Sequence, residues 1–132
     1  MTDRITLTIP REQRFHRVAH LVLGGLAVRL NLTLETLEDL QLALDALLEQ
    51  HEEPGEVEVE LAVGDDGTIE AVVGPFGSDR LRAELERDPQ DGSVGLARLL
   101  ATVVDDVEIV DRDDKEWVRL VKKVEQQAEA AG

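Results

Sequence analysis

With 132 residues the chain has the length of one domain, and 29 acidic against 14 basic side chains give it a formal charge of −15 at pH 7. Such a field repels phosphate backbones and anionic headgroups, which argues against nucleic acid and bare membrane as partners and favours a basic protein surface. The lack of cysteine removes disulfides, thiolate metal sites and cysteine nucleophiles, and three aromatic residues, Phe15, Phe76 and Trp117, make no stacking platform for bases.

The opening residues lack the apolar core of a signal peptide, and no apolar run reaches the roughly 18 residues of a membrane helix, so a cytoplasmic protein is expected. Arg4 to Ile9 alternates, with Ile5, Leu7 and Ile9 on one face, a strand pattern that Pro10 ends. From Arg11 to Leu30, the spacing of Phe15, Val18, Val22, Leu26 and Leu30 predicts a first helix, and the Gly24-Gly25 pair inside it predicts close packing. Thr33 is the N-cap of a second helix, with Glu35 in a first turn that favours negative charge, and the helix is expected to end near Glu52. In it Leu40, Ala43, Leu44 and Leu47 make a buried stripe. That leaves Ala46 and Gln50 one turn apart on the remaining face, with Asp45 and Glu49 on an adjacent strip.

Pro54-Gly55 marks a turn. Val57, Val59, Leu61 and Val63 then alternate with Glu56, Glu58 and Glu60, which predicts a half-buried strand with an acidic outer face. Asp65-Asp66-Gly67 reads as a hairpin turn, Thr68 to Val73 as the returning strand, and Gly74-Pro75-Phe76-Gly77 as its close. Residues 78–91 are charged, and their Leu81, Ala83 and Leu85 suit either a short surface helix or a mobile segment. After Gly92-Ser93-Val94-Gly95, the spacing of Leu96, Leu99, Leu100 and Val103 predicts a helix over 96–104. Val107 to Val110 and Trp117 to Val121 are strands around the acidic turn Asp111 to Asp114, with Trp117 half-buried. Residues 126–132 form a tail, leaving 1–125 as a single domain. The element order predicts an α+β protein, a two-layer sandwich whose helices cover one face of a mixed, mostly antiparallel sheet.

The opening strand, the span VLGGLAVRLNLTLETLEDLQLAL from Val22 to Leu44, and Gly92 to Leu96 before an apolar helix together resemble the anti-sigma factor serine kinases. These are members of the GHKL superfamily, which has the histidine kinase-like ATPase fold, and the resemblance covers nearly the whole chain. In that family a glutamate one turn before an asparagine on the second helix serves as general base and magnesium ligand. Aligned through Leu40, Leu42, Ala43 and Leu44, those positions are Ala46 and Gln50. Alanine cannot accept a serine proton, so catalysis in the family manner is lost, and glutamine puts its carbonyl at a different point on a geometrically strict ion. A one-residue slip would bring in Asp45 and Glu49, at the cost of the apolar register.

The family's adenine box aligns with VVGPFG, Val72 to Gly77, where Gly74 and Gly77 remain for a tight turn but valine replaces the aspartate that receives the adenine amino group. Its phosphate box aligns with Gly92 to Leu96, where Gly95 and Leu96 fit and Ser93 replaces a glycine. A bound nucleotide would therefore meet Gln50, Gly74, Gly77, Gly92, Gly95 and Leu96. With the boxes this degenerate, neither ATP nor magnesium is expected as a cofactor.

Phe15-His16-Arg17-Val18 resembles the family segment in which an arginine at the Arg17 position contacts the sigma factor. Arg11, Arg14 and Arg17 stand three apart, and a guanidinium fork suits a carboxylate, so these three are the candidate partner-binding residues; alternatively they balance acidic neighbours within the fold. His16 and His20 have a spacing that can bind a metal, but with no third ligand identifiable they read as a surface pair. The resemblance implies a sigma factor or an anti-anti-sigma factor as partner, and a homodimer formed through the first helix and sheet. The expectation is a regulatory binding domain that sequesters such a partner without catalysis. A serine/threonine kinase with an atypical site on Asp45 or Glu49, and a non-catalytic subunit pairing with an intact kinase, are the alternatives.

Overall fold

In the computed structural model, which describes residues 3–50, 55–64, 67–77, 80–87 and 94–124, the period-two stretches form the strands and the period-3.6 stretches the helices. The strands are β1 (Asp3–Pro10), β2 (Glu56–Val63), β3 (Thr68–Phe76), β4 (Asp106–Arg112) and β5 (Lys115–Lys123). The helices are α1 (His16–Leu30), α2 (Leu34–Leu48), α3 (Arg80–Glu86) and α4 (Leu96–Val103), with a 3-10 turn, Gln13–Phe15, leading into α1. Gly92 and the tail 126–132 lie outside the described residues, as do the tip of the β2–β3 turn and the residues around Glu52.

The sheet order is β1-β2-β3-β5-β4, and every neighbouring pair is antiparallel. The parallel pairing that a mixed sheet requires is therefore absent among the described residues. The reason is the last hairpin: β5 turns back into the slot between β3 and β4, separating the two strands that run in the same direction. Asp113 and Asp114 make its two-residue turn, with φ of 51° and 64°. Aspartate tolerates this left-handed backbone better than most residues, and such a turn matches the twist of the flanking strands.

Register puts Leu7, Val59, Val73, Val118 and Ile109 in one row across the sheet on the face the helices cover. The other face is polar, carrying the row Thr6, Glu60, Val72, Arg119 and Glu108. Arg119 donates to Glu70 and to Glu108, both at 3.1 Å, and the hydrogen bond to Glu70 is the main cause that holds its guanidinium above the usual arginine range.

Thr33 caps α2 as the sequence predicts, its hydroxyl accepting from the Thr36 amide at 3.2 Å. The helix ends at Leu48, short of Glu52. Because α2 packs between α1 and α4 as well as on the sheet, its buried arc is wider than one stripe: Leu40, Ala43, Leu44, Ala46, Leu47 and Leu48 are all enclosed. Full burial of each large aliphatic side chain contributes about 1.5–3 kcal/mol, which makes α2 the centre of the core. This corrects the expected position of Ala46 on the open face.

Two other expectations shift. The buried edge of α1 is Ala19, Leu23, Leu26 and Ala27, with Phe15, Val18, Val22 and Leu30 partly buried beside it, a rotation of the predicted stripe. Gly24 and Gly25 pack against nothing among the described residues: a Cβ at either would have no neighbour within 4 Å there, because that side of α1 looks outward together with exposed Leu21 and Val28. Residues 80–86 take the helical option, anchored by fully buried Leu81.

Candidate functional site

The start of α1 and the end of α2 enclose an open cleft of about 590 Å³ whose lining includes Arg14, His16, Arg17, His20, Asp45 and Glu49. Helical geometry explains the gathering. His16 and His20 lie one turn apart on α1, Asp45 and Glu49 one turn apart on α2, and the two helices pack side by side.

His20 Nε2 lies 2.6 Å from Asp45 Oδ1, with both side chains about one-third exposed. The histidines are thus not a free surface pair. His20 is held by the aspartate, which fixes the ring's orientation, and His16 Nε2 is enclosed without a hydrogen-bond partner among the described residues. Among the described residues, no group of three His, Cys, Asp or Glu that could hold a metal ion is found. The histidine–aspartate contact was not visible in the sequence, because the two residues are 25 apart and only the α1–α2 crossing joins them.

The three arginines separate. Arg11 is spent inside the fold: its Nε donates to the Glu56 carbonyl at 2.8 Å and its Nη2 to the Pro75 carbonyl at 2.6 Å, tying the ends of β2 and β3 to the chain leaving β1. Arg14 pairs with Glu12 at 2.9 Å and lies over the Phe15 ring, 4.9 Å from its centre, with most of its side chain in solvent. Arg17 is exposed on the cleft wall, with no ion pair or hydrogen bond among the described residues. Three-residue spacing suggested one shared side, but Arg11 precedes the 3-10 turn and Arg17 follows it, so a helical projection does not apply across all three.

The residues aligned with nucleotide boxes lie elsewhere. Ala46 is only 7% exposed, and the Gln50 side chain folds back so that its Nε2 donates to the Ala46 carbonyl at 3.2 Å. Gly74 is not in a closing turn. β3 continues through it to Phe76, with an irregular register after Val73, and the Trp117 indole lies directly against the glycine. A Cβ at Gly74 would come within 2.6 Å of the ring, so this glycine has a packing reason to be there. Trp117 is buried, beyond the half-burial expected of it, between Gly74 below and the Arg112 guanidinium 5.0 Å from its ring centre. Gly77 follows β3, and Gly95 is the N-cap of α4 in extended backbone without a side-chain cap, while Leu96 points into the core.

A magnesium nucleotide held in the manner of the family that the sequence resembles needs a carboxamide at the ion and a carboxylate for the adenine amino group. A buried alanine, a glutamine bonded to its own helix and a buried Val72 do not fit that requirement. Asp45 and Glu49 line a cleft that includes none of Gly74, Gly77 and Gly95.

No described helix is long and apolar enough to cross a membrane. Compared with known proteins, the sequence matches no family model and no curated protein.

Proposed function

We propose that this is a regulatory protein-binding domain of the anti-sigma type, which sequesters a sigma factor or an anti-anti-sigma partner and carries no kinase activity. The observation that supports it is the fate of Arg17. Of the three arginines near the start of α1, it is the one left unpaired among the described residues, set at the rim of a cleft lined by both signs of charge. An arginine so placed takes a partner carboxylate bidentately, and the fixed His20–Asp45 pair beside it gives the partner a preformed polar wall. Ala46 at the position of the family's base supports a binding role over a catalytic one.

The test is a calorimetric titration of the protein against a panel of sigma factors and anti-anti-sigma proteins, repeated with Arg17→Glu. Binding by one member, weakened tenfold or more by the substitution at unchanged melting temperature, is the expected outcome. Equal binding by Arg17→Glu, or no binding to any member, overturns the reading. A parallel melt with magnesium-ATP addresses the kinase alternative: a ligand at a hundredfold excess over its Kd stabilises the native state by roughly 2.7 kcal/mol. No shift and no phosphate transfer to a bound partner are expected.

A further inference from the structure

A second surface lies at the far edge of the sheet. β4 is the last strand, and among the described residues it pairs only with β5. The two-residue turn at Asp113-Asp114 fixes which way its backbone points. Arg112 and Lys115 are the hydrogen-bonded pair that closes it, so by alternation Glu108 and Val110 spend their amides and carbonyls on β5, while those of Val107, Ile109 and Asp111 point out to the open edge.

The side chains of Val107 and Ile109 lie on the helix-covered face. There they border an open groove of about 630 Å³ between β4, α3 and α4, where Ala97 and Ala101 are exposed and Leu85 is partly exposed, and whose rim also includes Arg82, Asp105, Asp106 and Glu108. Two alanines one turn apart keep the α4 wall low, and the groove runs beside the residues whose backbone is unpaired among the described residues. Natural edges are usually blunted by a proline, a bulge or an inward charge; Val107 to Val110 carries no proline, and its one charge, Glu108, points to the polar face.

We propose that the β4 edge binds an extended segment of a partner protein by strand addition, and that the segment alternates apolar and basic residues. Residues of the added strand opposite Val107 and Ile109 enter the groove between α3 and α4 and are apolar. Those in between lie on the polar face next to Asp106 and Glu108 and carry Lys or Arg. Main-chain hydrogen bonds to Val107 and Ile109 hold the strand, and the alternate side chains select it. Charge decides the occupant: two copies that each carry −15 repel along an edge that already holds Asp105, Asp106, Glu108 and Asp111, whereas a basic strand is attracted to it. This surface is separate from the Arg17 cleft, and its test does not depend on that reading.

The probe is a fluorescein-labelled peptide of alternating lysine and valine, seven residues long, titrated by anisotropy into the whole protein, with alternating glutamate and valine as control. Val107→Pro removes an outward amide without touching the bonds to β5, and Ala101→Phe fills the groove from an exposed position. Saturable binding of the basic peptide, weakened roughly tenfold by either substitution, with Val107 and Ile109 amides gaining exchange protection, is the expected result. Overturning outcomes are no binding of the basic peptide, equal binding of the acidic one, indifference to both substitutions, or self-association of the protein that Val107→Pro abolishes. Circular dichroism of each variant shows whether the sheet is intact; should Val107→Pro unfold it, Ala101→Phe and the exchange data alone decide.

Discussion

Gly74→Ala separates two uses of a glycine. Its backbone is not in the left-handed region, so alanine can adopt its conformation, and by reducing the freedom of the unfolded chain the change alone would stabilise by about 0.4–1 kcal/mol. Opposing this, the new Cβ would lie 2.6 Å from Trp117 Cδ2 and 2.8 Å from Cε3 and Cγ, well inside ordinary contact. The ring is trapped from above by Arg112, which is itself paired to Glu60 at 2.7 Å, so it cannot lift without breaking those contacts. Overpacking of this kind costs about 1–3 kcal/mol. The net expectation is a loss of about 1–2 kcal/mol, or roughly 3–8 °C in melting temperature for a domain of this size.

Trp117 is the sole tryptophan, so its emission reports the displacement directly. The decisive measurement is a double-mutant cycle by urea denaturation, followed by circular dichroism. With Trp117→Leu in place the obstruction is gone, and Gly74→Ala is then expected to be neutral or stabilising, a coupling of about 1–3 kcal/mol. Equal destabilisation in both backgrounds, or no effect in the parent, refutes the packing argument and reopens Gly74 as a residue kept for a ligand.

Arg11→Ala is expected to cost about 1–3 kcal/mol, because two carbonyls lose charged donors, whereas Arg17→Ala stays within about 0.5 kcal/mol; chemical denaturation of both variants checks the contrast. Ala46→Glu, which puts a glutamate where the resemblance to the anti-sigma kinases aligns a general base, is expected to destabilise by about 3 kcal/mol or more without producing a magnesium-ATP melting shift, since it forces a carboxylate into an enclosed position. A nucleotide-dependent gain in stability by that variant would contradict the burial argument.

Much of this fold is legible in the sequence because alternation and helical spacing are local signals. The β2 pattern Val57, Val59, Leu61 and Val63 and the α4 pattern Leu96, Leu99, Leu100 and Val103 appear in the structure, with Val63 and Leu99 only partly buried. The errors come from non-local packing. Gly74-Pro75 has the composition of a turn, yet Phe76 pairs with Glu116 across the sheet, and that partner strand keeps the chain extended. α1 presents apolar residues all round, so spacing alone could not decide that Ala19 and Leu23 face the core while Leu21 and Val28 face water. For the candidate site, the positions of His16, His20, Asp45 and Glu49 were readable as pairs one turn apart. Their meeting across a helix crossing was not.

The same crossing bears on the binding role proposed for α2 in place of a catalytic one. A base and a metal ligand one turn apart need a strip of helix that borders a solvent-filled cavity, since substrate must reach both. In α2 the strip through Ala46 is enclosed, with Gln50 turned back onto the Ala46 carbonyl. The next strip, Asp45 and Glu49, does border an open cavity, but Asp45 is committed to His20 and the opposite wall is the arginine-bearing start of α1. Polar access on this helix therefore coincides with α1 and not with the glycines after β3 or before α4. A change of residue type at position 46 alone would leave that arrangement in place, so the proposed binding role rests on helix packing as well as on the identity of residue 46.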